Sequence, residues 1–323
     1  MKTYKLTFSA QGAITGIPDA QTVFGALCSA IYMHDGIERM EDYIHSLDTK
    51  PWFVHSSMFP LGLFPACAKP LISAAELNDM ISKFSSSSRL PLLSTLKHIK
   101  KYQYMSENVF KKYYLTDKED RLKDDLIKKN VLTVEQISGH SILKAVNGQI
   151  PPFLTKTIQQ TKSGSNFIQK DNDLFYQKQM FLSDESRLCL YVRSDWGCEE
   201  LRSVFSLLEY TGIGPHRSSG LNLFRLEEIE EFSCPASSDF VFLLSGCIPK
   251  EDEFLYDESF YRIDSASFRS SYQAARSQYS GTFSKLKEGS LMKPVQKKEW
   301  YGQMIPVEIN GRTIVHYGLG VVL

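Results

Sequence analysis

Gly212, Ile213, Gly214, His216, Arg217, Ser218, Ser219, Gly220 and Asn222 fall within one short stretch, YTGIGPHRSSGLNLF, between two strongly apolar runs. The glycines permit unusual dihedrals and let backbone N–H groups approach an anion closely. Arg217 offers a planar fork of donors, and Ser218 and Ser219 add hydroxyls. That set suits the oxygens of a nucleic-acid backbone, where each phosphate is a separate, singly charged target. The same residues also admit a purely structural reading, with Gly212 closing a helix and Gly214-Pro215 forming a turn. The order of elements argues against a nucleotide-dependent enzyme. Dinucleotide and P-loop motifs run from strand to glycine turn to helix. Here the order is helix, loop, strand, so the helix turns its partial negative end to the loop, worth about 0.3–1 kcal/mol against an anion. An anion must be held by the loop's own donors.

Other chemistry-bearing residues are scattered. Metal-independent RNA cleavage needs a general base and a general acid. The seven histidines form no paired motif, although His34 follows the first predicted helix, where a base could stand. The clusters DKED at 117–120 and EDE at 251–253 read as solvated charge in loops, and no metal site or cofactor is expected. The six cysteines contain no C-x-x-C pair, and Cys28, Cys189 and Cys247 lie in apolar runs as small core residues. This suits a reducing cytoplasm. With 37 basic and 37 acidic residues, any nucleic-acid site must be a local patch. No apolar window approaches the ~20 residues of a membrane span, and MKTYKLTFSA reads as a strand, not a signal peptide. A soluble, cytoplasmic protein is expected.

Positioning the loop falls to a set of predicted elements. A chain of 323 residues suggests two domains, here 1–233 and 234–323. Tyr4, Leu6 and Phe8 alternate as in a strand, and Val23, Leu27, Ala30 and Ile31 share a helical stripe capped by Asp19 or Thr22. The proline-broken run PWFVHSSMFPLGLFPACAKPL is strand-like, and its Lys69 is a candidate phosphate or partner contact. Residues 72–150 read as a lysine-rich, helix-compatible insertion. In it Lys97, Lys100, Lys101, Lys111 and Lys112 interleave with Tyr102, Tyr104, Tyr113 and Tyr114, either as a solvated face or as an RNA or partner contact. A long hairpin is predicted over 151–182, with Thr155, Thr157, Gln159 and Thr161 along one face, either simply exposed or touching RNA. A strand over 186–194 follows, then a helix capped by Asp195 with Leu201, Val204, Phe205 and Leu208 on one side, the loop at 211–222, and a further strand. Asn310-Gly311 signals a hairpin near the end. The order strand–helix–strand, hairpin, strand–helix–strand points to an α+β chain with a split β-α-β, ferredoxin-like first domain, and 234–323 could be a degenerate second copy.

The loop resembles the Gly-rich signature of the RAMP superfamily of CRISPR proteins, G-hydrophobic-G-G-basic-R-S-S-G-x-G-x-F. TVFGALCSAI, MFPLGLFPACAKPL, LYVRSDWGCEELRSVFSLLEYTGIG, SGTFSKLKEGS and VHYGLGVVL are similar, in order, to motifs of the fourth Csm protein of type III-A effector complexes. Residues 72–150 and 246–275 carry little of the likeness. Pro215 stands where the signature has glycine, His216 replaces its Lys or Arg, and Asn222 replaces another glycine. An imidazole in place of a fixed charge weakens phosphate attraction near neutral pH, whereas Asn tolerates left-handed backbone. The resemblance implies two ferredoxin-like (RRM-like) RAMP domains with a β-hairpin thumb. It further implies a non-catalytic subunit that grips the 5′ handle of the crRNA in antiviral defence. Such a subunit joins the large polymerase-like Csm subunit to the backbone RAMP subunit. Two rivals remain: a RAMP-type endoribonuclease that processes CRISPR RNA, with His34 as base, and a protein-binding scaffold without RNA contact.

Overall fold

The computed structural model describes residues 1–70, 102–115, 121–122, 125, 131–165, 172–233, 239–269, 279–309 and 312–323. Its centre is a four-stranded antiparallel sheet. Alternation of Tyr4, Leu6 and Phe8 makes β1 (Lys2–Ala10), and the chain then turns into α1 (Ala20–Asp35). Asp19 caps that helix by accepting the N–H of Thr22 at 2.9 Å and its hydroxyl at 2.6 Å. Gly36 ends it, at a φ of 88° that favours glycine, and donates to the carbonyl of Tyr32 at 3.1 Å. A second helix, α2 (Ile37–Asp48), follows directly and was not anticipated from the sequence. Its apolar residues Met40, Tyr43, Ile44 and Leu47 fall at i, i+3, i+4 and i+7, the stripe that seats a helix on a core.

The sheet is completed by β2 (Phe53–Pro60) and, much later, by two strands of a second strand–helix–strand unit. In between lie β3 (Leu63–Pro65), β4 (Tyr104–Ser106), a short helix α3 (Glu107–Tyr113), β5 (Leu132–Ile137) and β6 (His140–Ala145). These four strands form their own sheet in the order β3-β4-β6-β5, so the described part of 72–150 is mixed rather than helical. Ser138 and Gly139, both at positive φ, make the tight turn between β5 and β6. The tyrosines here are structural. Tyr102, Tyr113 and Tyr114 are buried, and Phe110 stacks on Phe64 with centroids 4.2 Å apart. Lys111 pairs with Glu107 at 2.6 Å and Lys112 with Asp125 at 3.2 Å. Lys97, Lys100 and Lys101 lie outside the described residues.

A long antiparallel ribbon follows, β7 (Thr155–Ser165) against β8 (Asn172–Leu182), its tip at 166–171 outside the described residues. Then come β9 (Leu188–Ser194), α4 (Cys198–Phe205), α5 (Leu207–Thr211) and β10 (Phe224–Glu231). The central sheet has the order β10-β1-β9-β2, so the two strand–helix–strand units interleave. Asp195 does not cap α4. Its carboxylate pairs with the N-terminal ammonium of Met1 at 3.3 Å, while Glu200 accepts the N–H of Gly197 at 2.8 Å and so closes the helix start. Aromatic rings lock the helices to β2: Phe53 lies 5.2 Å from Tyr43, 5.0 Å from Phe205 and 5.8 Å from Trp196. Burial of each such ring is worth about 1.5–3 kcal/mol.

The remaining strands pair as ribbons: β11 (Val241–Phe242) with β14 (Leu291–Met292), β12 (Ile263–Arg269) with β13 (Tyr279–Leu286), β15 (Trp300–Gly302) with β18 (Leu319–Val321), and β16 (Ile305–Ile309) with β17 (Arg312–His316). Among the described residues of 234–323 no α-helix occurs, so no second strand–helix–strand unit is seen there. Asn310 and Gly311 lie outside the described residues, while the strands they join pair in the register Ile309↔Arg312. Phe242, Leu244, Leu319 and Val321 belong to the same core as the central sheet. Ser57 ties the two regions, donating its N–H to Leu244 at 3.0 Å and its hydroxyl to Glu288 at 2.6 Å. Among the described residues no helix is long and apolar enough to cross a membrane.

Candidate nucleic-acid interface

The loop between α5 and β10 is built by four residues at positive φ, Gly212, Gly214, His216 and Gly220, and by one buried clasp. Gly212, at φ 70°, ends α5 and donates to the carbonyl of Leu208 at 2.8 Å. A Cβ at this position would stand 2.8 Å from the carbonyl oxygen of Asn222 and 3.2 Å from Cγ of Arg217, so glycine lets both lie against the backbone. Ile213 is fully buried and donates to the same Asn222 carbonyl at 2.9 Å. His216 adopts left-handed φ 60°, after which Arg217–Ser219 form one 3₁₀ turn closed by Gly220 at φ 78°.

Asn222 holds this shape. At φ 58° it occupies the backbone region that glycine would, and its amide adds bonds that glycine cannot make. Its Oδ1 accepts the N–H of Thr15 at 2.8 Å, its Nδ2 donates to the carbonyl of Pro215 at 2.6 Å, and its own N–H donates to Ala13 at 3.0 Å. Ile213 and Asn222 therefore shape the loop from beneath. Pro215, His216, Ser218, Ser219 and Gly220 are exposed and Arg217 half-exposed. Among the described residues the Arg217 guanidinium, both serine hydroxyls and the His216 ring make no hydrogen bond or ion pair. The acidic edge strand β10 does not draw on Arg217: Glu227 pairs with Arg187 at 2.5 Å, Glu230 with Lys5 at 2.6 Å and Glu231 with Lys2 at 3.0 Å.

The segment that clasps Asn222 also reaches the ribbon. Ile14 and Met180 exchange backbone hydrogen bonds of 2.8 and 2.7 Å, and Met180 faces Thr157 across the ribbon. Two strand spacings of about 4.8 Å thus carry Thr157 to within roughly 10 Å of the segment that fixes the loop. Thr157, Gln159 and Thr161 are exposed and Thr155 half-buried, all on one face with Met180, Lys178 and Tyr176. Lys69 is grouped elsewhere, its ammonium 5.3 Å over the ring of Phe260. The sequence reading missed Thr15, Tyr176 and Lys178. Alternation along β8, placed in register with β7, is the signal that finds the last two.

Three histidines sit in contrasting surroundings. His34 is exposed in the last turn of α1, its Nδ1 2.7 Å from Asp35. His55 is fully buried and stacked on Tyr317 at 4.4 Å, and burial pushes it down to about 4. His316 is likewise pushed down to about 4, first by burial and then by Lys285. Among the described residues no group of three His, Cys, Asp or Glu side chains could hold a metal ion.

No protein-family model and no curated protein sequence matches this chain. Solved structures do. The whole chain superposes on 98% of a chain in the Csm3–Csm4 subcomplex of the type III-A CRISPR-Cas interference complex, with a TM-score of 0.64 and 16% identity. It also superposes in full on 97% of a chain in the Csm1–Csm4 cassette with pppApA, at a TM-score of 0.56 and 16% identity. The same cassette with AMPPNP gives 0.55 at 16% identity. The chain has the fold of Csm4. That likeness is end to end, fits the mixed α+β architecture, and at this identity speaks of the fold.

Proposed function

We propose that this chain is a non-catalytic, RNA-binding subunit of a type III-A CRISPR (Csm) effector complex. Its Gly-rich loop holds the 5′ handle of the crRNA, and its body joins the large polymerase-like subunit to the backbone RAMP subunit in cytoplasmic antiviral defence. One observation carries this reading: an exposed set of uncommitted donors, Arg217, Ser218, Ser219 and the His216 ring, on a loop that a buried asparagine clasps into shape. A phosphodiester needs those donors and no metal or cofactor. The interleaved order β10-β1-β9-β2 supports reading 1–233 as a ferredoxin-like RAMP domain with 151–182 as its thumb, while the strands of 234–323 pack onto the same core. Solved assemblies that pair Csm4 with Csm1 or with Csm3 support the two partners.

Affinity purification of a tagged copy tests the proposal. RNA bearing a CRISPR repeat-derived 5′ end, a large subunit and a repeated backbone subunit are expected to co-purify. Recovery of the chain with proteins but no RNA would favour a scaffold and overturn the RNA-holding role.

A further inference from the structure

Five large apolar side chains stand open on the strand-rich region beyond residue 240: Leu255, Tyr256, Tyr261, Ile263 and Val295, with Ile263 64% and Val295 55% exposed. They are neighbours. Tyr256 and Tyr261 meet edge to face with centroids 5.6 Å apart. Phe254 bridges Pro294, which sets Leu255 and Val295 diagonally across one face. Tyr261 and Ile263 are two apart on an extended segment and share a side, while Arg262 between them turns inward and donates to the carbonyl of Ala66 at 2.5 Å. The backbone beneath is fixed. Leu255 donates to the carbonyl of Lys293 at 2.8 Å, and the Ser259 hydroxyl accepts the Lys293 N–H at 2.9 Å and donates to the Leu255 carbonyl at 2.6 Å. A single exposed apolar residue is ordinary, but adjoining rings on a fixed frame mark a contact surface. Acid surrounds it. Glu251, Asp252, Asp257, Glu258 and Asp264 are exposed and, among the described residues, make no ion pair. The neighbouring Lys293 and Lys298 are already committed, to Asp239 at 3.1 Å and to the buried Glu253 at 3.0 Å. Such a rim repels the phosphates of RNA.

We propose that this patch docks a basic amphipathic helix of a partner protein. The helix lays its apolar stripe over Tyr256, Tyr261 and Ile263, and its flanking Lys or Arg side chains reach the carboxylates. The inference does not rest on RNA binding by the Gly-rich loop. The distances suit it. Tyr261 and Ile263 stand about 7 Å apart on their segment, with Tyr256 a further 5.6 Å from Tyr261. That span is comparable to the roughly 10 Å over which a helix carries residues i to i+7. Lys and Arg stems run along apolar surface while their heads stay wet, so residues beside the stripe can reach the acidic rim. Centre and rim contribute differently: desolvated rings hold a complex together, whereas rim charge speeds encounter and excludes acidic partners.

The test uses the full chain, immobilised for surface plasmon resonance, and a synthetic helix of about fourteen residues with leucine on one stripe and lysine elsewhere. The parent is expected to bind it and to ignore the same helix with glutamate in place of lysine. Tyr261→Ala should bind about 10- to 30-fold more weakly, mainly through faster dissociation. Asp257→Asn combined with Glu258→Gln should slow association and lower its salt dependence, with dissociation nearly unchanged. Glu228→Gln, on the acidic edge strand β10, should change nothing. Tyr261 is exposed, so the urea midpoint of its variant should match the parent; if it does not, Ile263→Ser, at the most exposed position of the patch, carries the same expectation. No binding by the parent, full binding by Tyr261→Ala and Ile263→Ser, or an equal loss in Glu228→Gln would overturn the docking surface. So would a dimer of the chain in sedimentation that Tyr261→Ala dissolves, because a second copy would then cover the patch.

Discussion

Replacing Asn222 by Ala isolates what shapes the loop. The substitution removes the acceptor for the Thr15 N–H and the donor to the Pro215 carbonyl, bonds of 2.8 and 2.6 Å. A buried group left without its partner costs about 1–3 kcal/mol. Thr15 is half-buried and Pro215 exposed, so the lower end applies to each, about 2 kcal/mol together. Alanine must also adopt φ 58°, a left-handed conformation that costs a non-glycine residue about 1–2 kcal/mol. The expected total is about 3 kcal/mol, read as a shift in the urea unfolding curve. Asn222→Gly loses the same bonds but not the backbone conformation, and should recover about 1 kcal/mol of the deficit. Both variants should also bind RNA more weakly, because the donors of 216–219 lose their fixed frame. An Ala variant within about 0.5 kcal/mol of the parent would refute the clasp.

Two further predictions concern the histidines. Burial holds His55 neutral, at about 4 against an ordinary 6.5. The unfolded chain takes up a proton below pH 6.5 that the folded chain refuses until about pH 4, so stability present above pH 6.5 is lost as pH falls through that window. The loss approaches about 3 kcal/mol. His55→Phe keeps a ring against Tyr317 and should flatten this acid limb in urea titrations at pH 7 and 4.5; an unchanged acid loss would contradict the assignment. Second, the pure protein should leave CRISPR repeat RNA intact. A cleavage product that disappears in His34→Ala would make the chain a processing endoribonuclease instead.

Legibility in the sequence followed the range of the interactions involved. β1, α1 and its Asp19 cap rest on residues a few positions apart, and their periodicity is plain. The loop's position was equally plain, because three glycines with Arg217 between two apolar runs have few uses. α2 escaped notice although its apolar stripe is complete: it begins at Gly36 with no Ser, Thr, Asp or Asn to announce it. The β5–β6 hairpin escaped because lysines and tyrosines dominated the reading of the insertion, although Ser138-Gly139 is a turn signal. The clasp was not legible at all. It joins Asn222 to Thr15, and only the folded sheet brings those positions together. The same holds for Tyr176, whose surroundings depend on the ribbon's register.

Filter binding of the parent and Arg217→Ala to a single-stranded 5′-handle RNA, across a salt series, bears most directly on the central claim. If Arg217 grips a phosphate, the variant should lose about 1–3 kcal/mol of binding, and the slope of log K against log salt should fall by about 0.7. Affinity and slope both unchanged would mean that the loop holds no RNA.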